Sequence, residues 1–158
     1  MTRWINLLLR FIVGGVFILS GVVKIWNVQI NSTHEERGVA ITLRVSHAPD
    51  LSGFAADVLN YRVPPRALSN LVAITLPWIE VLAGALLALG IWARPSALVI
   101  TCLMVVFLLA IGQAVVRGLN INCGCFGTVE GRKVGLIALS EDAVLLAMAA
   151  WLAWWEKD

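Results

Sequence analysis

Two thiols one residue apart, Cys123 and Cys125, stand in the stretch "GLNINCGCFGTVEGRK" of an otherwise greasy chain. A Cys-x-Cys pair suits two kinds of chemistry. It can supply part of a zinc or copper site, but such sites need more than two ligands. His34 and His47 would have to complete the set, and their spacing matches no familiar metal signature, so no metal is expected. The second chemistry is thiol–disulfide exchange. A bridge between residues so close shuts a small ring and strains the disulfide away from its preferred geometry. Strained, exposed disulfides are the oxidising, labile ones. Gly124 gives the backbone the freedom such closure needs, and Arg117, Arg132 and Lys133 lie near enough in sequence to favour thiolate over thiol. A lone loop cysteine would be read as inert; a vicinal pair beside glycines is read as redox-active.

Two charges sit in long apolar runs. Glu80 has only Thr75 to relieve the run around it, and Lys24 closes a different run. An ionisable group inside a membrane costs about 3 kcal/mol on insertion scales and is a functional hypothesis by default. The two can pair and tie their helices together. A paired carboxylate beside a redox centre can also accept or relay a proton, so the roles are compatible. Glu141 and Asp142 are expected near the headgroups or paired with Arg117 or Lys24, and Arg10 reaching toward the N-terminal interface. Gln113 is expected to bond across helices, and Cys102, in the middle of a run, to be a core residue.

The elements that must position these groups follow from composition. The 158 residues are 59% hydrophobic and only 14% charged, with mean hydropathy +0.86. Soluble domains carry about 25% charged residues, so lipid must solvate much of this chain. Four runs are long enough to cross a bilayer, at about 4–26, 70–92, 95–116 and 136–155. The expected fold is a single all-α membrane domain, a four-helix transmembrane bundle, because lipid cannot satisfy open backbone groups. Trp4, Trp92, Trp151, Trp154 and Trp155 fall at one set of ends and Trp26 at the other, as interfacial aromatics do. Pro77 is either a kink in the second run or the first residue of a shorter helix. The first run is read as a retained span, since no small-residue cleavage pattern follows it.

Four crossings put both termini on one side. The long loop 28–69, the Cys loop 117–135 and the end of the first run at Lys24 share the other. Within the long loop, 52–61 predicts a short amphipathic interfacial helix, with Phe54, Val58 and Tyr61 on one face. The first half of that loop has no clear period. A net charge of +2 without any Lys/Arg run excludes a nucleic-acid partner and leaves membrane lipid as the expected surroundings.

Taken together, these residues resemble the DoxX/MauE family of small four-span bacterial membrane proteins. The matching pieces are "FILSGVVKIWN", "VLNYRVPP", "LPWIEVLAGALLALGIWARPSA" and "RGLNINCGCFG", in the family's order, and the cysteine string makes the chain similar to the MauE branch. By that resemblance Lys24, Glu80, Cys123 and Cys125 occupy motif positions. The loop 28–52 departs from the pattern by being longer. The resemblance implies a bacterial inner-membrane redox protein that passes electrons between a periplasmic or membrane partner's thiols and an acceptor such as quinone, with no covalently bound cofactor. It ties that role to methylamine metabolism and the maturation of a disulfide-rich periplasmic dehydrogenase. The alternative is a non-enzymatic assembly or accessory subunit of a respiratory or sulfur-oxidising complex. Charge counting opposes a periplasmic Cys loop. Lys24, Arg37, Arg44, Arg62, Arg66, Arg117, Arg132 and Lys133 lie on the thiol side, against Arg3, Arg10, Arg94 and Lys157 on the other. The positive-inside rule would therefore put the thiols in the cytoplasm. Disulfides persist in the periplasm, and some of these cations can serve the thiolates instead of topology.

Overall fold

The computed structural model describes residues 2–26, 29–35, 38–44, 51–60, 66–118 and 136–156. Its elements in chain order are α1 (Thr2–Ile25), β1 (Gln29–Glu35), β2 (Gly38–Arg44), α2 (Ser52–Asn60), α3 (Arg66–Leu89), α4 (Ala93–Val116) and α5 (Leu136–Trp155). The architecture is helical. Into the first long loop it inserts an antiparallel hairpin, in which Gln29 pairs with Arg44 and Glu35 with Gly38. Strands occupy the stretch for which no period was expected, and Val39, Ile41 and Leu43 alternate along β2.

α1, α3 and α4 are each 24 residues, about 36 Å at the usual helical rise. All three are long and apolar enough to cross a membrane, which makes this a multi-pass membrane protein. α5 is a 20-residue apolar helix packed against α4.

Each long helix carries a buried stripe and turns its remaining apolar side chains outward. On α1 the stripe is Val13, Phe17, Ser20 and Lys24; on α3 it is Ala73, Pro77, Glu80, Gly84 and Leu87. On α4 it runs through Ala93, Ala97, Ile100, Met104 and Ile111, and on α5 through Asp142, Ala149, Leu152 and Ala153. Leu19, Leu82, Val106 and Leu109 are exposed, as side chains solvated by lipid should be. Without a hydrophobic force between helices in lipid, close packing of small residues must hold them. α1 and α3 show this. A Cβ on Gly14 would lie 2.7 Å from the Gly84 carbonyl oxygen, a Cβ on Gly84 would lie 2.7 Å from that of Gly14, and a Cβ on Gly21 would lie 2.6 Å from that of Pro77. Two close approaches two turns apart on both helices fix an antiparallel register.

α3 is continuous through Pro77, so the proline neither starts nor ends it. It stops in a Schellman motif: Gly90 N–H donates to Leu87 (3.2 Å) and Ile91 N–H to Leu86 (3.1 Å), with Gly90 at φ +76°. Arg10 closes this end of the bundle. Its Nε donates to the Leu87 carbonyl (3.1 Å) and its Nη1 pairs with Glu156 (3.2 Å), joining α1, the end of α3 and the end of α5. A guanidinium there also meets the negative pole of α3.

Candidate functional site

The register set by the two glycine contacts puts Ile18 level with Glu80, so Lys24 starts about 9 Å nearer the loop end. Helical side chains lean toward the N-terminus of their own helix, and on α1 that direction is inward. Lys24 therefore reaches back down the bundle. Its Nζ meets Glu80 Oε1 at 2.6 Å, with the two side chains 0% and 1% exposed. α3 begins at Arg66, which places Glu80 about 21 Å along it.

The surroundings replace water for both charges. Ser20 Oγ donates to Glu80 Oε2 (3.4 Å). The Lys24 ammonium lies 4.9 Å from the ring centroids of both Phe54 and Phe107. Ring faces attract a cation, and more strongly once it is desolvated. Phe54 comes from α2, which packs on α3, so the short helix is a cover for the ion pair. The membrane-surface face expected from Phe54 and Val58 instead turns Phe54 into the protein.

Beside the pair is a cavity of about 10 Å³. Ser20, Glu80 and Asp142 contribute its polar wall, and Val16, Phe17, Met104, Phe107 and Leu145 the apolar one. That is about the room one water needs, with polar partners to hold it, and no room for a ring. The geometry can hold an ammonium and a carboxylate in fixed register and bridge the carboxylate to Asp142 through one water.

Of the expected site residues, the structure brings Lys24 and Glu80 together. Cys123 and Cys125 lie outside the described residues, as do Arg132 and Lys133. Asp142 and Glu141 part company: Asp142 is 3% exposed and faces the cavity, while Glu141 is exposed. Sequence spacing does not separate the two, since Asp142 and Ala149 are seven apart and so are Glu141 and Met148. Cys102 is corrected. It is exposed on α4 among outward-facing Leu98, Val99, Val105 and Val106, one step off the buried Ile100–Met104 line. Gln113 is exposed as well. Asp57, not singled out by sequence, is 6% exposed one turn from Phe54, and among the described residues its Oδ2 has no hydrogen-bond partner. Burial pushes its carboxyl up to about 6. Among the described residues no cluster of three or more His, Cys, Asp or Glu could hold a metal.

The profile of methylamine utilisation protein MauE matches residues 2–155, almost the whole chain. The chain belongs to the MauE family. It is 35% identical to methylamine utilization protein MauE of Methylorubrum extorquens over 102 residues, which are 64% of this chain and 55% of that protein. With the Paracoccus denitrificans protein of the same name identity is 34% over 63% of this chain and 54% of the relative. With that of Paracoccus versutus it is 36% over 68% and 59%. The chain thus spans a little over half the length of the curated MauE proteins it matches. No solved structure matches it.

Proposed function

We propose that this MauE-family chain is a bacterial inner-membrane thiol–disulfide redox protein acting in the maturation of a periplasmic dehydrogenase such as methylamine dehydrogenase. The observation that carries the reading is the Cys-Gly-Cys string in the segment joining α4 to α5 of a membrane helix bundle. In the step proposed, a partner thiolate attacks one sulfur of the Cys123–Cys125 disulfide. The S–S bond breaks, a mixed disulfide forms and the other cysteine leaves as thiolate. A second partner thiolate then attacks the mixed disulfide, releasing the partner's new disulfide and leaving both cysteines reduced. Two electrons and two protons have moved. A quinone meeting the thiols at the loop takes them as quinol and restores the disulfide. Arg117, Arg132 and Lys133 favour the thiolate form. Lys24 holds Glu80 below the loop, where the carboxylate exchanges a proton through the adjacent water site. A periplasmic Cys loop suits a disulfide that must persist.

The test is Cys123→Ser and Cys125→Ser, each in a Cys102→Ala background. Expected is loss of dehydrogenase maturation at unchanged membrane abundance, with a membrane-impermeant maleimide labelling the parent background in intact cells only after mild reduction. Serine variants that retain maturation would sink the redox reading. They would favour a non-enzymatic assembly subunit, a reading supported by how tightly the Lys24–Glu80 pair is sealed.

A further inference from the structure

At the end of the bundle away from the Cys loop, α4 and α5 do not close on one another. A groove of about 450 Å³ runs between them, lined by Arg94, Leu98 and Thr101 on α4 and by Ala150, Ala153 and Trp154 on α5. Arg94, Leu98 and Thr101 are four and three apart, one face of a helix, and span about 10 Å along its axis. The opposite wall is hollow because two alanines stand where larger side chains would fill the seam. Thr101 offers little polarity to the groove, since its hydroxyl donates to the Ala97 carbonyl (2.7 Å). The polar groups gather at the outer end. Arg94 is exposed and, among the described residues, meets no carboxylate, in contrast to Arg10, which is paired with Glu156. Trp154, 84% exposed, stands opposite with its indole ring.

A cation and an indole at the rim of an apolar channel complement one chemistry in a bilayer, an anionic head on an apolar chain. We propose that this groove binds an anionic phospholipid, with Arg94 on its phosphate, Trp154 at the level of the glycerol and one acyl chain lying between Leu98 and the two alanines. The volume falls within the range of small-molecule sites. Indole rings settle at this depth in membranes because one edge is apolar and the N–H can donate. Guanidinium is the side chain best matched to phosphate, through two parallel hydrogen bonds.

Native mass spectrometry of the full-length chain, released from mixed micelles of phosphatidylglycerol and phosphatidylcholine, reads the site directly. The parent protein is expected to retain phosphatidylglycerol in preference to phosphatidylcholine. Arg94→Gln should lower that preference about fivefold, the effect of one surface cation on an anionic lipid. Arg94→Lys should restore most of it, which separates charge from folding. Ala150→Leu, which fills the channel without touching the charge, should lower retention of both lipids. Unchanged preference in Arg94→Gln would overturn the proposal. So would unchanged retention in Ala150→Leu, or displacement of the lipid by inorganic phosphate alone, since either makes the groove irrelevant.

Discussion

The Lys24–Glu80 pair can be taken apart one charge at a time. At 2.6 Å and an effective dielectric near 20, the bare attraction is roughly 6 kcal/mol. Desolvating each ion costs several kcal/mol, so the pair as a whole contributes little net stability. Removing one member is different, because the other stays buried without its counter-charge. Glu80→Gln strands the ammonium, leaving it the two ring faces and an amide. Lys24→Met strands the carboxylate, leaving it Ser20. Each single change is expected to cost about 3–5 kcal/mol. The double variant, Lys24→Met with Glu80→Gln, buries two uncharged groups of similar size and should lose far less than the sum. A coupling energy of at least about 2 kcal/mol is the expected outcome. Reversible unfolding of all four proteins in dodecylmaltoside–SDS micelles, followed by circular dichroism, measures it. Additive losses, with coupling below about 0.5 kcal/mol, would show that the two charges do not stabilise one another and would refute the description of the site.

The same unfolding assay reads the α1–α3 contact. Gly14→Ala puts a Cβ against the Gly84 carbonyl and should destabilise by about 1–3 kcal/mol, whereas Gly15→Ala points into open space and should be neutral or slightly stabilising. Asp57 predicts a pH dependence whose sign follows from its raised pKa. Between its ordinary value of 3.8 and about 6 the folded state holds the proton and the unfolded state does not, so folding weakens as pH rises through that window and stays weakened above it. Hydrogen exchange in α2 should accordingly be faster at pH 7.5 than at pH 4 once intrinsic rates are removed, and Asp57→Asn should abolish the difference; a difference that survives in Asp57→Asn assigns it to another group.

The helices were legible because hydrophobic length is a strong signal in lipid. Their faces were less so. In a bilayer both sides of a span are apolar, so hydrophobicity does not say which side is inward, and Cys102 was assigned to the wrong one. Small and polar residues mark the inner face better. Gly14, Ser20 and Lys24 on α1, and Pro77, Glu80 and Gly84 on α3, fall on the buried lines, whereas on α5 the adjacent Glu141 and Asp142 are both polar and only packing tells them apart. The hairpin went unread because β1 has one large apolar residue and no period, and the alternation of Val39, Ile41 and Leu43 in β2 is short and stands without a patterned partner. Lys24 meeting Glu80 was legible as a pairing of charges at one end of the bundle, but not the depth at which they meet. That depth rests on where α3 starts and on two glycine contacts that only packing reveals.

The separation of these partners along the chain has a consequence for biogenesis. Lys24 is synthesised 56 residues before Glu80, and the hairpin, α2 and the beginning of α3 are made in between. At bacterial-scale synthesis rates the first span spends roughly 3–11 s with its lysine uncompensated. During that interval the ammonium has to remain among the headgroups, with α1 held higher in the bilayer than in the finished protein. Only when α3 arrives can the charge be drawn in and Phe54 laid over it. The ion pair is therefore a latch that closes late, and it makes the final depth of the first span conditional on the second.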